Sequence, residues 1–191
     1  MDENIVKTCF KTLMESGLGL DLSDPNLEDT PGRVARMFCR EFFSSVGHEF
    51  EDFKTFPNTH GYNTIIISDK IHFVSVCSHH FLPFMGFAWI LYIPNEHLIG
   101  ASKMARLVEH YSRRPQIQEN LCHEIMNAFV EGVEPKGAMV VMRAVHNCMA
   151  CRGVKQYADS GLGTSAVFGD FSTHSSLETK GYELIKLSLM V

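Results

Sequence analysis

Two short segments, Cys77-Ser78-His79-His80 and His146-Asn147-Cys148, concentrate two thiols and three imidazoles at widely separated places in a chain of 191 residues. A fold that uses them together must bring those places to one point. Thiolate and imidazole are ligands that Zn²⁺ prefers. Cys77-x-x-His80 and Cys148-x-x-Cys151 each have the short spacing of a zinc site. Two metal readings follow, beside a third with no metal, buried Cys and satisfied His, which five such residues in two clusters disfavour. In one, Cys77, His80, Cys148 and Cys151 close a structural site. In the other, Cys77, His80 and Cys148 bind the ion and the fourth position is left for water. His79 and His146 favour the open site, because a structural zinc has no use for extra titratable groups. A metal of this kind brings the pKa of water to roughly 7, and imidazole moves protons in the same range.

The length suits one ordinary domain with a sizeable core. A formal charge of −5 argues against a broad nucleic-acid or membrane-binding face, although a few Lys and Arg suffice for a small anion. The opening MDENIVKTCF carries acids where a secretory signal has a basic region. No apolar run is long enough to span a membrane. The six cysteines therefore read as reduced thiols of a cytoplasmic protein, some of them metal ligands.

Hydrophobic periodicity predicts a helix over 3–17 and a second from the Thr30-Pro31 start to about Gly47, with Thr30 as cap. Residues 63–68 and 71–76 read as a hairpin turning at Asp69-Lys70. Further strands are expected at 84–93, 138–145 and 165–168. One helix is expected to be capped by Ser102, one to be opened by Pro115, and a last one to start near Ser176. The fold class is α+β: an antiparallel four-stranded sheet with helices on one face, preceded by an N-terminal helical segment. Such a sheet has open edges, which points to an oligomer joined edge to edge.

Ser102, Lys103 and Arg106 stand at a helix start, where N–H groups and the helix dipole favour phosphate. Arg113, Arg114 and Arg152 add positive charge. Gln118-Glu119 can read a purine edge, the carboxylate accepting from N–H donors.

Taken together, DTPGRVARMF (29–38), CSHHFLPFMG (77–86), IPNEHLIGASKMARLVEHYSRRPQIQENL (93–121), AVHNCMACRGV (144–154) and TSAVFGDF (164–171) resemble GTP cyclohydrolase I. The resemblance implies a tunnelling fold, with a helical segment at 1–60 and a catalytic domain at 61–191. It implies a homodecamer of two pentamers with active sites between subunits. It implies one Zn²⁺ per subunit on Cys77, His80 and Cys148, with Cys151 a bystander. His79 and His146 fall on the proton-transfer positions, with Ser102 assisting the later rearrangement. Lys103, Arg106, Arg152 and a neighbour's Arg33 fall on the triphosphate positions, and Gln118 and Glu119 on the guanine positions. The implied reaction is hydrolytic opening of the GTP imidazole ring, formate release and rearrangement to 7,8-dihydroneopterin triphosphate, the first step of pterin and tetrahydrofolate biosynthesis. The family usually has Glu between the first Cys and the His pair; here it is Ser78, so a carboxylate beside the metal is missing. That departure motivates one alternative, a divergent tunnelling-fold cyclohydrolase with a different product. Cys151 as a fourth ligand motivates another, a non-catalytic zinc-stabilised nucleotide-binding oligomer.

Overall fold

Ala88 to Ile93 is buried residue after residue, so the strand that carries it must have packing on both faces. In the computed structural model, which describes residues 1–156 and 160–190, that strand is the middle of a five-stranded sheet. In chain order the strands are β1 (Thr55–Pro57), β2 (Ile66–Cys77), β3 (Pro83–Ile93), β4 (His97–Ile99), β5 (Pro115–Gln116), β6 (Gly137–His146) and β7 (Leu162–Gly169). The sheet order is β5-β2-β3-β6-β7, antiparallel except for the short β5, which runs parallel to the end of β2. Strands β1 and β4 form a separate antiparallel pair.

The helices of this part are α3 (Ala101–Ser112), α4 (Gln118–Val133), α5 (Asn147–Ala150), α6 (Asp170–Thr173) and α7 (Ser175–Ser188). Side chains alternate across a strand. Ala88, Ile90 and Tyr92 enter one cluster with Leu107 and Val108 of α3 and Ile125 and Phe129 of α4. Trp89, Leu91 and Ile93 enter a second cluster with Met139, Phe171 and Ile185. Helices therefore lie on both faces and not on one. The last helix can approach the second face because Gly181 has no Cβ: one placed there would stand 2.7 Å from Met139 Sδ.

The chain divides into two compact units, Met1–Val46 and Gly47–Val191. The first holds α1 (Glu3–Thr12) and α2 (Thr30–Met37), each continued by a π-helical turn, at Leu13–Gly17 and Phe38–Phe42. Asp2 caps α1 by accepting from the Asn4 and Ile5 N–H groups. Phe10 meets Phe38 edge to face at 5.3 Å.

Four local expectations are corrected. Residues 66–77 are one strand with a bulge between Ser68 and Ile71, not a hairpin, because both halves pair with the same β3 (Ile66 with Tyr92, Ile71 with Ala88). Asp69, read as a turn residue, accepts a hydrogen bond from Trp89 Nε1 at 2.9 Å. Thr30 lies inside α2 and Asp29 is the cap position. Helix α3 starts from Gly100, so Ser102 sits within its first turn. Pro115 belongs to β5, and α4 begins at Gln118.

Candidate metal centre

The register of the sheet closes the sequence gap. Val76 pairs with Pro83 and Phe84 pairs with His146, so the ends of β2 and β6 and the start of β3 lie side by side. After β2 the chain makes a tight loop. Cys77 N–H donates to the Leu82 carbonyl at 2.9 Å, and Phe81 N–H donates to the Cys77 carbonyl at 2.8 Å. Phe81 takes a left-handed φ of 54°, sterically unfavourable for a residue with a Cβ. Such backbone persists where the surroundings over-determine it, typically beside a functional group. Ser78 N–H donates to the Gln116 carbonyl of β5 at 2.9 Å, which ties the loop to the sheet.

On the other side, β6 runs directly into α5, which carries Cys148. The ligand atoms of Cys77, His80 and Cys148 all lie within 4.8 Å of one another. Cys77 is buried, Cys148 half-buried and His80 exposed, so the group opens toward solvent. The Cys151 thiol turns back along its own helical turn and donates to the Asn147 carbonyl at 2.8 Å. Burial and the neighbouring Cys77 thiol push the Cys148 thiol upward in pKa. A Cys148 thiol whose ionisation is opposed by burial and by a neighbouring sulfur is the environment a divalent cation relieves, and two sulfurs with one imidazole suit Zn²⁺. Among the described residues the three-ligand group is the open arrangement. Cys151→Ser is expected to retain one zinc per subunit and Cys148→Ser to lose it, by elemental analysis of purified protein. X-ray absorption of the bound metal should give zinc–sulfur distances of about 2.3 Å.

The expected proton-transfer residues stand beside this group. His79 Nδ1 lies 3.9 Å from Cys77 Sγ, and its ring centroid is 6.3 Å from that of His80. His146 stacks on the fully buried Phe84 ring at 4.5 Å, with 4° between the planes. Its Nε2 faces Gln118 Oε1 at 2.8 Å. Burial lowers the His146 pKa, and the charge of Glu119 partly offsets this. The charge of Arg152 favours the Cys148 thiolate, against the larger effect of burial. A cavity of about 240 Å³ beside His146 is lined by Val145, Met149, Gln156 and Leu162, among others.

Gln118 lies at the start of α4, facing inward. Its side chain is 1 % exposed, and its amide is engaged inside the protein. Glu119, next to it at the start of α4, is exposed. The basic residues of α3 also have company. Lys103 Nζ and Arg106 NH1 both contact the Asp52 carboxylate, the latter at 2.9 Å. Those contacts, Lys103 first, hold Asp52 below the usual carboxylate range. Arg114 donates to the His48 carbonyl at 2.8 Å and lies over the Tyr111 ring. Arg33, in the first unit, pairs with Asp29 at 3.4 Å on the exposed side of α2.

Phe84 and Asp52 have roles that the sequence does not announce. Phe84 is one aromatic in an apolar strand. Asp52 is one acid in a loop, EFEDFK, whose anchors are the neighbouring phenylalanines. Phe50 and Phe53 pack edge to face at 4.9 Å, and the Phe53 ring lies over Gly132, at about 2.5 Å from where a Cβ would be. The Lys54 carbonyl accepts from Gly100 N–H at 3.0 Å.

A family model described as GTP cyclohydrolase I matches residues 6–186. A protein named GTP cyclohydrolase 1 from Streptococcus pneumoniae (strain ATCC 700669 / Spain 23F-1) is 40% identical over 189 residues, covering 98% of this chain and 100% of its own. The protein of the same name from S. pneumoniae serotype 19F (strain G54) is 39% identical with the same coverage. Among solved structures, the archaeosine synthase QueF-Like in its apo form matches with a TM-score of 0.44 and 18% identity, over 55% of this chain and 93% of that one.

Proposed function

The chain belongs to the GTP cyclohydrolase I family, and from that membership we propose how its own residues carry the family's reaction. The activity is zinc-dependent hydrolytic opening of the imidazole ring of GTP, with formate release and rearrangement to 7,8-dihydroneopterin triphosphate. The observation that carries the reading is the convergence of Cys77, His80 and Cys148, with His79 and His146 beside them. Zn²⁺ held by these three residues supplies a Lewis acid that activates water at neutral pH.

The remaining steps fall to the protein. His79 gives a proton to the opening ring nitrogen. His146 moves protons during ring opening and the later rearrangement of the ribose, which Ser102 assists. Glu119 accepts from the guanine N1–H and 2-amino groups. Lys103, Arg106, Arg152 and a neighbouring subunit's Arg33 hold the triphosphate by charge-assisted hydrogen bonds. The fold we assign is the tunnelling fold, assembled as a homodecamer of two pentamers in the cytoplasm. Support comes from β7 as an outer strand of the sheet and from six cysteines that are all free. Light scattering of the active protein is expected to give the mass of a decamer, and a stable active monomer would defeat that assembly and the role of Arg33.

The test of the function is incubation of purified protein with GTP, with formate and pterin fluorescence followed together. Both should rise in parallel. Formate without fluorescence would favour the reading motivated by Ser78, an enzyme that opens the ring and stops early. Neither signal in zinc-loaded protein would favour a non-catalytic nucleotide-binding oligomer.

Asp52 makes a separate prediction. Its carboxylate stands against the cations assigned to the triphosphate and must turn away when substrate binds. Exposed ion pairs are individually weak, so the competition is modest. Asp52→Asn is expected to lower the KM for GTP about two- to fivefold with little change in kcat. A raised KM would show instead that Asp52 holds Lys103 and Arg106 in their working positions.

A further inference from the structure

The neighbourhood of Gln118 gives that residue a task other than reading a base. Its amide nitrogen lies 3.0 Å from the Leu162 carbonyl, 3.1 Å from Thr164 Oγ1 and 3.4 Å from the Met142 carbonyl. Carbonyl oxygens only accept, so the end of the amide that faces them must be the NH₂. Flipping the amide would set its oxygen against two other oxygens with no hydrogen between them. The carbonyl end of Gln118 is therefore the one that faces His146, at 2.8 Å from Nε2.

That oxygen too can only accept. The His146 nitrogen facing it must carry the hydrogen, and in the neutral ring Nδ1 is left as the acceptor. Phe84 fixes the plane of the same ring by stacking at 4.5 Å. The ring is thus held by its face and by one edge. Gln118, at 1 % exposure, is supported in turn by β6 through Met142 and by β7 through Leu162 and Thr164.

We propose that Gln118 is a positioning residue for His146: it keeps the proton on Nε2 and leaves Nδ1 as the ring nitrogen that exchanges protons with the substrate. This rests on the reading of His146 as a proton-transfer group, and it assigns recognition of the purine edge to Glu119 without the Gln118 side chain.

The test uses zinc-loaded full-length protein and two variants. Gln118→Met removes both ends of the amide at similar size. Thr164→Val removes one acceptor of the amide and alters nothing assigned to substrate or metal. In ¹⁵N spectra of histidine-labelled protein, the His146 signal is identified by its loss in His146→Ala. It should show Nε2–H in the unmodified protein and a mixture of tautomers in Gln118→Met. With GTP, Gln118→Met should lower kcat by about 10²-fold, the lower end of a general acid–base contribution. KM, zinc content and the preference for GTP over ATP should stay close to those of the unmodified protein. Thr164→Val should shift both readouts in the same direction by less, and it carries the test if Gln118→Met does not fold. A raised KM with unchanged kcat, or an eroded nucleotide preference, would overturn the proposal and make Gln118 a base reader. A resting ring with its hydrogen on Nδ1 would overturn it as well. The spectra need no substrate, so failure of the unmodified protein to act on GTP would sink the assigned activity and leave the tautomer result to stand or fall alone.

Discussion

Glu119→Ala is expected to remove most of the preference for GTP over ATP. The exposed carboxylate at the start of α4 can accept from two donors on guanine, N1–H and the 2-amino group. Adenine offers no donor at either place, so ATP would leave a carboxylate facing an acceptor in a site closed by substrate. Sites built to hydrogen-bond a substrate discriminate by about 10⁴–10⁵ against an analogue that lacks the partner groups. Lys103→Ala should behave differently. The triphosphate proposed for it is common to both nucleotides, so binding of both should weaken alike. Competition binding with GTP and ATP separates the two variants. If ATP competes as well as GTP against the unmodified protein, Glu119 does not read the base.

His79→Ala and His146→Ala should lower turnover by about 10²–10⁴-fold, the range for loss of a general acid or base, while leaving metal content and GTP affinity largely intact. Neither residue is in the three-ligand group, so the metal should stay. The two variants should differ in detail. His79 sits on the tight loop after β2, where its Nδ1 faces the Cys77 sulfur at 3.9 Å. His146 is stacked and hydrogen-bonded into the protein interior, so its removal also leaves the Gln118 oxygen without a partner and should lower thermal stability. Near-normal turnover in either variant would take that residue out of the reaction.

The metal group was legible in the sequence because its chemistry is local: a Cys-x-x-His segment, a His-x-Cys segment and spare imidazoles can be read without knowing the fold. The residues alone left Cys151 open as a fourth ligand and the resemblance set it aside; the structure adds that its thiol bonds back to Asn147. The surroundings of Gln118 were not legible for a non-local reason. Its partners come from β6 and β7, and nothing near it in sequence indicates that α4 begins against those strands. The supposed hairpin at Asp69-Lys70 failed similarly. A turn and a bulge look alike in composition, and only the eleven-residue length of β3, which pairs with both halves, distinguishes them. The second layer of helices was hidden because the apolar residues of Ser175–Ser188 show that the helix must bury a face, but not which side of the sheet receives it.

The doubly covered β3 bears on how the protein is made. Phe87 to Ile93, FAWILYI, carries no charge, and from Ala88 on it alternates into two separate clusters. Its neighbour β2 precedes it along the chain, but β6 follows only after α3 and α4, and α7 comes last. During synthesis this segment therefore emerges shortly before α3 and α4, which cover one face, but long before α7, which covers the other. A charge-free, β-prone run of this kind is a ready template for pairing with other chains. A ribosome stalled before residue 175 would display Trp89, Leu91 and Met139 without the helix that shields them, so shielding of the nascent chain, and not the final stability of the domain, should limit the yield of soluble protein.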